Sequence, residues 1–189
     1  MKRKKDYMYR SIDIGNYLNH KVVGEIEEYQ DRKDILWGAP HIMFQPASIP
    51  SPCMCGQVPF VLQTGNADRD NVLCEGQTIK ISGLKKGSLY FLCFSEWTDV
   101  FEKLQIVYAN DYIQIGELNA YNVITPYLWD YDIKIQTITP GFSLICSDGE
   151  IGMVYLNQIK TDAESPLREI RLPFNPLLHI FAITWEEET

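Results

Sequence analysis

The chain has 189 residues, 46% of them apolar and 22% charged, and carries a formal net charge of −8. Those values describe one ordinary globular domain with a sizeable core, and the acidic balance excludes a nucleic-acid binder, which needs a Lys/Arg surface. No apolar run reaches the ~18 residues of a membrane-spanning helix.

The basic cluster Lys2-Arg3-Lys4-Lys5 reads as a solvated tail over residues 1–8, ahead of a single domain over 9–187. Asp6, Tyr7 and Met8 follow instead of the apolar stretch of a secretory signal, so a cytoplasmic location is expected. Five cysteines at scattered spacing read as reduced thiols and not as a disulfide framework. Eleven Tyr, eight Phe and four Trp favour strands.

In chain order, Tyr9 to Gly15 predicts an opening strand. Glu25 to Lys33 predicts a polar loop or a single helical turn. Ile35 to Ser51, interrupted by Pro40, Pro46 and Pro50, predicts a long pinned loop. Val58 to Leu62 is a short strand, Thr64 to Asp70 a polar turn, and Asn71 to Ile81 a hairpin bent at Glu75-Gly76. The unbroken apolar run Ser88 to Phe94 predicts a fully buried strand. Leu104 to Tyr108 and Tyr112 to Gly116 flank an Asn110-Asp111 hairpin signal. Further strands are predicted at Ile133–Ile138, Phe142–Cys146 and Gly152–Ile159. The closing stretch, Arg168 to Glu186, alternates at period two around Pro173-Phe174-Asn175-Pro176, with apolar residues at both parities. Its last strand therefore belongs inside a sheet with both faces covered. Short, regularly spaced strands with almost no helical period predict an all-β sandwich.

Several of these stretches also match a known pattern. VPFxL (Val58–Leu62), DNVLCEGQTI (Asp70–Ile79), GxLYFL (Gly87–Leu92), IVYAN (Ile106–Asn110) and the closing xIxLPxNPxxHIFAITxE, which looks like a final hairpin turning after Pro173, occur here in one order. The chain thereby resembles the galactose-binding-like, jelly-roll β-sandwich domains that accompany bacterial glycoside hydrolases, over roughly Val58 to Glu186. Between Gly116 and Gly152 nothing matches. The resemblance implies a jelly-roll fold with little helix and a glycan-related role.

Chemistry-bearing residues narrow the choice. His20, His41 and His179 are far apart and form no H-x-H or H-x-x-x-H metal motif, and His179, within a strand, reads as a packed, hydrogen-bonded histidine. Cys53 and Cys55 lack two further ligands for a zinc site, and Cys93 reads as core filling. There is no G-x-S-x-G nucleophile motif. Loop carboxylates such as Glu96, Asp99, Asp130, Asp132, Asp148 and Glu150 could supply a glycosidase pair or simply solvate an acidic surface. Two aromatic loop clusters stand out: Glu96-Trp97-Thr98-Asp99, and Tyr127-Leu128-Trp129-Asp130-Tyr131. Trp97, Trp129 and Tyr131 can stack on sugar C–H faces while Glu96, Asp99 and Asp130 fix hydroxyls; the alternative is that the two Trp cap the core. No cofactor is expected beyond a structural calcium, which the resemblance allows and for which Asn66, Asp68 and Asp70 offer hard oxygens, or else they form a plain turn.

The reading is a non-catalytic carbohydrate-binding module taking a glycan or glycoside. The alternative is a protein-interaction or accessory subunit, which packs on a separately encoded glycoside-active enzyme or on itself. A small glycoside-active enzyme using a carboxylate pair is third.

Overall fold

The computed structural model describes residues 8–24, 44–50, 52–65, 69–123, 139–145, 151–161 and 164–188. Twelve strands run in chain order: β1 (Met8–Ile12), β2 (Cys53–Cys55), β3 (Val58–Phe60), β4 (Val72–Glu75), β5 (Thr78–Lys80), β6 (Gly87–Ser95), β7 (Val100–Tyr108), β8 (Ile113–Ala120), β9 (Thr139–Ile145), β10 (Ile151–Lys160), β11 (Leu167–Arg171) and β12 (Phe174–Glu187). The helical content among these residues is two short 3-10 turns, at Gly15–Tyr17 and Pro46–Ser48. The predicted all-β sandwich is the fold.

One sheet has the order β1-β12-β6-β10-β9, with β4 also on β12; the other has the order β5-β11-β7-β8. All the strand pairs are antiparallel. The apolar run of β6 is buried at every position. Leu89, Phe91 and Cys93 face the core between the sheets, while Tyr90, Leu92 and Phe94 face a second apolar cluster outside the first sheet. Such side chains each contribute about 1.5–3 kcal/mol when fully buried, so β6 is costly to leave unpaired.

β12 is its partner, as the two-faced alternation predicts. The parity of that alternation changes midway. Ile180 pairs with Cys93 and Ala182 with Leu92, leaving Phe181 as a bulge. Leu178 and Ile180 before it, and Ile183 and Trp185 after it, therefore share the inter-sheet core, while Phe181 and Ala182 turn outward.

Two predicted hairpins are sheet-to-sheet crossings instead. β4 pairs with β12 in one sheet and β5 with β11 in the other, so Glu75-Gly76 is a corner. β11 and β12 likewise lie in different sheets. The two corners bind each other: the Gly76 N–H donates to Pro173 O at 3.0 Å and the Leu172 N–H to Gln77 O at 2.9 Å. Gly76 takes φ +79°, which suits glycine at such a corner. Local turn residues mark a reversal, and only the partners of the flanking strands decide whether it closes a hairpin or changes sheets.

Outside the first sheet, the β2–β3 ribbon covers the second cluster together with Val22 and Phe44, whose strands of chain meet through a parallel bridge between Val23 and Phe44. β2, Cys53-Met54-Cys55, was not predicted as a strand; it follows the proline-interrupted stretch and becomes one by pairing with β3. The outer face of the second sheet carries no such cover among the described residues, and Phe101, Ile113 and Ile115 stand exposed there. The predicted strand at Ile133–Ile138, the basic cluster Lys2–Lys5 and the polar segment Glu25–Lys33 lie outside the described residues.

Candidate functional site

The β6–β7 connection, residues 96–99, leaves the buried strand and turns at once to solvent. Trp97 is 53% exposed and holds φ +64°, a left-handed conformation that is strained for a residue with a side chain. The loop is fixed on two sides. The Glu96 N–H donates to Leu177 O at 2.9 Å, and the Val123 N–H donates to Ser95 O at 2.8 Å. The Asn122 side-chain amide donates to Trp97 O at 3.0 Å, while the Asn122 N–H donates to Asp99 Oδ1 at 3.0 Å. Trp97 is thus an indole presented outward on a tied backbone, not a cap on the core.

Asp99 is exposed beside it, and burial together with the Asp99 carboxylate raises the Tyr121 phenol. The exposed Phe101 ring stands edge-on to Tyr121 at 6.3 Å, and Tyr121 edge-on to Tyr155 at 5.5 Å. Asn122 thus ties Asp99 to the Trp97 main chain, and Phe101, two residues beyond Asp99, is the next exposed ring along the chain. Phe101 and Asn122 were not singled out from the sequence, because alternation alone does not tell which parity of β7 faces water, and the bonds of Asn122 to the Trp97 loop join residues more than twenty positions apart.

Glu96 goes the other way. It is 9% exposed, and its carboxyl points inward, with Oε1 3.4 Å from His179 Nε2. Burial alone raises its pKa from 4.5 to about 7. His179 is wholly buried, stacked on Phe94 with ring centres 4.5 Å apart, and burial then the nearby His20 ring hold its pKa well below the usual range. Its Nδ1 lies 2.8 Å from Asn71 Oδ1. The Asn71 amide in turn donates to Asp70 Oδ1 at 2.8 Å. Asp70 accepts the Val22 and Val23 N–H groups, each at 2.9 Å, so in this fold it fastens the segment at residues 22–23 to the base of β4.

The sequence model of one family, described as an AziU2-like beta-sandwich domain, matches residues 17–189. The chain belongs to that family. No curated protein matches it.

In this AziU2-like domain the remaining predicted site residues fall as follows. Trp129, Asp130 and Tyr131, and the calcium candidates Asn66 and Asp68, lie outside the described residues. Val123, the last described residue before Trp129 in the chain, is bonded to Ser95 at the start of the Trp97 loop. Among the described residues no group of three or more His, Cys, Asp or Glu is placed to hold a metal ion. None of their helices is long and apolar enough to cross a membrane.

The AziU2-like domain also has a pocket of about 380 Å³ under residues 21–24, with Val23, Leu62 and Phe181 on its apolar side and Lys21, Gln63 and Asp70 on its polar side. Gln63 is engaged within the fold, accepting the Ile14 N–H and donating to Ile12 O, both at 2.9 Å. The pocket draws on segments far apart in the chain, and no spacing in the sequence announces it.

Proposed function

We propose that this AziU2-like domain is a non-catalytic binding module that recognises a glycan or glycoside on the Trp97 surface. The observation that carries the reading is Trp97 itself, an indole held out to solvent in a strained conformation, with Asp99 and the Asn122 amide at its side. Sugars bind where an aromatic ring meets their C–H face and a few fixed polar groups take the hydroxyls. Phe101 supplies a second ring, and Trp129, Asp130 and Tyr131, which lie outside the described residues, are further candidate contacts of this reading. The pocket near Lys21 suits this role less, since Gln63 and Asp70 already serve the fold. The resemblance to the galactose-binding-like jelly-roll domains of glycoside hydrolases supports the same reading.

A panel of mono- and oligosaccharides titrated against Trp fluorescence tests it. We expect quenching or a blue shift for at least one sugar, lost in Trp97→Ala and weakened in Phe101→Ala. No response to any sugar, or a response unchanged in Trp97→Ala, overturns the reading.

One observation favours a second reading, an accessory subunit that packs on another protein or on itself. Phe101, Ile113 and Ile115 leave apolar surface on the outer face of β7 and β8, which no other described residues cover. Light scattering on wild type and on the Ile113→Thr/Ile115→Thr variant separates the two readings. A monomer at all concentrations, with sugar binding intact, supports the module.

A further inference from the structure

The hydrogen bonds that run from Asp70 through Asn71 to His179 determine where protons sit beside Glu96. Asp70 is a carboxylate that accepts two backbone N–H groups, so the nitrogen of the Asn71 amide must be the atom that faces it. Asn71 Oδ1 is thereby turned toward His179, and an oxygen can only accept. His179 therefore carries a hydrogen on Nδ1. In the neutral ring the remaining nitrogen, Nε2, then presents a lone pair, and it makes no hydrogen bond in the fold. What it faces, at 3.4 Å, is the Glu96 carboxyl. An ionised carboxylate set against that lone pair repels it in a site with little water, whereas one proton between the two atoms joins them.

We propose that Glu96 and His179 form a one-proton latch that seats the Trp97 loop. With the proton bound, the Glu96 carboxyl is held inward on His179 Nε2 and Trp97 keeps its strained, presented conformation. When the proton leaves, the carboxylate loses its partner, moves toward water and carries the adjoining residue with it. The ties through Leu177, Val123 and the Asn122 side-chain amide use main-chain atoms or a neutral amide and do not titrate; Asp99, which accepts the Asn122 N–H, is the one other carboxylate among the loop's ties described above.

The direction of both pKa shifts agrees with this arrangement. Glu96 is raised to about 7 and His179 is lowered, so the shared proton resides on Glu96 in the neutral pair. The titratable and charged groups around the pair are few. His20, from the segment before β2, stands edge-on to His179 with ring centres 5.1 Å apart. Asp70 lies behind Asn71, Asp99 on the same loop is bonded to Asn122, and Glu102 on β7 accepts the Asn175 amide. Asp70, Asp99 and Glu102 are acids that cannot hold Glu96 ionised, and His20 acts on the His179 ring, lowering it.

The latch itself requires no ligand; its effect on recognition rests on the reading of Trp97 as a contact residue. The test follows the indole N–H resonances of the wild-type protein across a pH range that brackets 7, with Trp97 assigned by Trp97→Phe. We expect the Trp97 resonance to shift with a midpoint near 7 while that of the buried Trp185 stays in place. Glu96→Gln should abolish the transition and hold the resonance near its low-pH position. Asp99→Asn should retain the transition. A transition that persists in Glu96→Gln, or no transition in the wild type, overturns the latch. Should Glu96→Gln fail to fold, carbon-13 labelling of the Glu carboxyls in the wild type decides: one carboxyl titrating near 7 supports the latch, and all in the ordinary range overturn it. A Trp97 transition with no sugar bound at any pH leaves the latch standing and removes the glycan reading. Sugar binding with an unmoved Trp97 resonance does the reverse.

Discussion

Asn71 does more than its size suggests. Its side chain joins a carboxylate to an imidazole, and its orientation decides which nitrogen of His179 bears the hydrogen. Replacing it with Leu removes the partner of a buried ring N–H, which costs about 1–3 kcal/mol. We expect Asn71→Leu to lower stability by about 2–3 kcal/mol in urea unfolding, with no change in the dependence on denaturant. Glu96 gives a signed pH prediction. Its carboxyl has an ordinary value of 4.5 and about 7 in the fold, so between those values the unfolded chain has released a proton that the fold retains, and its contribution to stability falls as pH rises. His179 acts in the opposite sense: its ordinary value is 6.5 and its folded value is far lower, so stability falls as pH drops below 6.5. Below 6.5 the two contributions slope in opposite directions and offset each other in the wild-type protein. Glu96→Gln removes one of them. Measured against wild type, that variant should gain up to about 3 kcal/mol as pH rises from 4.5 to about 7. A constant difference between the two proteins would show that Glu96 titrates normally.

At the scale of elements, the closeness of β6 to β12 and of β8 to β10 sets the tolerance of the fold. A Cβ built on Gly87 would run into the carbonyl oxygen of Glu186 and come within 2.6 Å of Trp185 Cζ2. A carbonyl within the sheet cannot retreat without breaking the β6–β12 ladder. A Cβ on Gly116 would meet Ile159 Cδ1, also at 2.6 Å, but that atom ends a side chain able to rotate. We therefore expect Gly87→Ala to destabilise by about 3 kcal/mol or more and Gly116→Ala by about 1 kcal/mol, read as shifts in the urea midpoint. Asn157 closes the other side of the sandwich. From β10 it accepts the Asn119 N–H at 2.8 Å and donates to Asn119 O at 2.9 Å, which satisfies part of the free edge of β8. Its removal would orphan both backbone groups, and Asn157→Leu should cost about 2–4 kcal/mol by the same measurement.

For the whole molecule, the contrast between the two outer faces matters most. One is covered by the β2–β3 ribbon and residues 22 and 44; the other exposes Phe101, Ile113 and Ile115. Exposed residues of that kind contribute little to folding. The pair Ile113→Thr/Ile115→Thr should unfold within about 0.5 kcal/mol of wild type, so any change in association that it causes reports on the surface and not on the core.

The all-β class, the two-faced closing strand and the buried run of β6 were legible in the sequence, because period-two alternation and unbroken apolar runs are local signals that the sandwich satisfies as they stand. Trp97 and Asp99 were legible as a loop pair for the same reason, since they follow a core strand and interrupt it with polar residues. What the sequence could not show depended on partners distant along the chain. Glu75-Gly76 and Pro173 read as hairpin turns, and only the pairing of β4, β5, β11 and β12 makes them corners between sheets. Glu96 read, like Asp99, as a hydroxyl-binding acid beside Trp97, whereas its carboxyl is buried against His179. It differs from Asp99 only because β12 brings His179 beneath it, and because Asp70 and Asn71, more than a hundred residues before that histidine, settle which of its atoms can receive a proton.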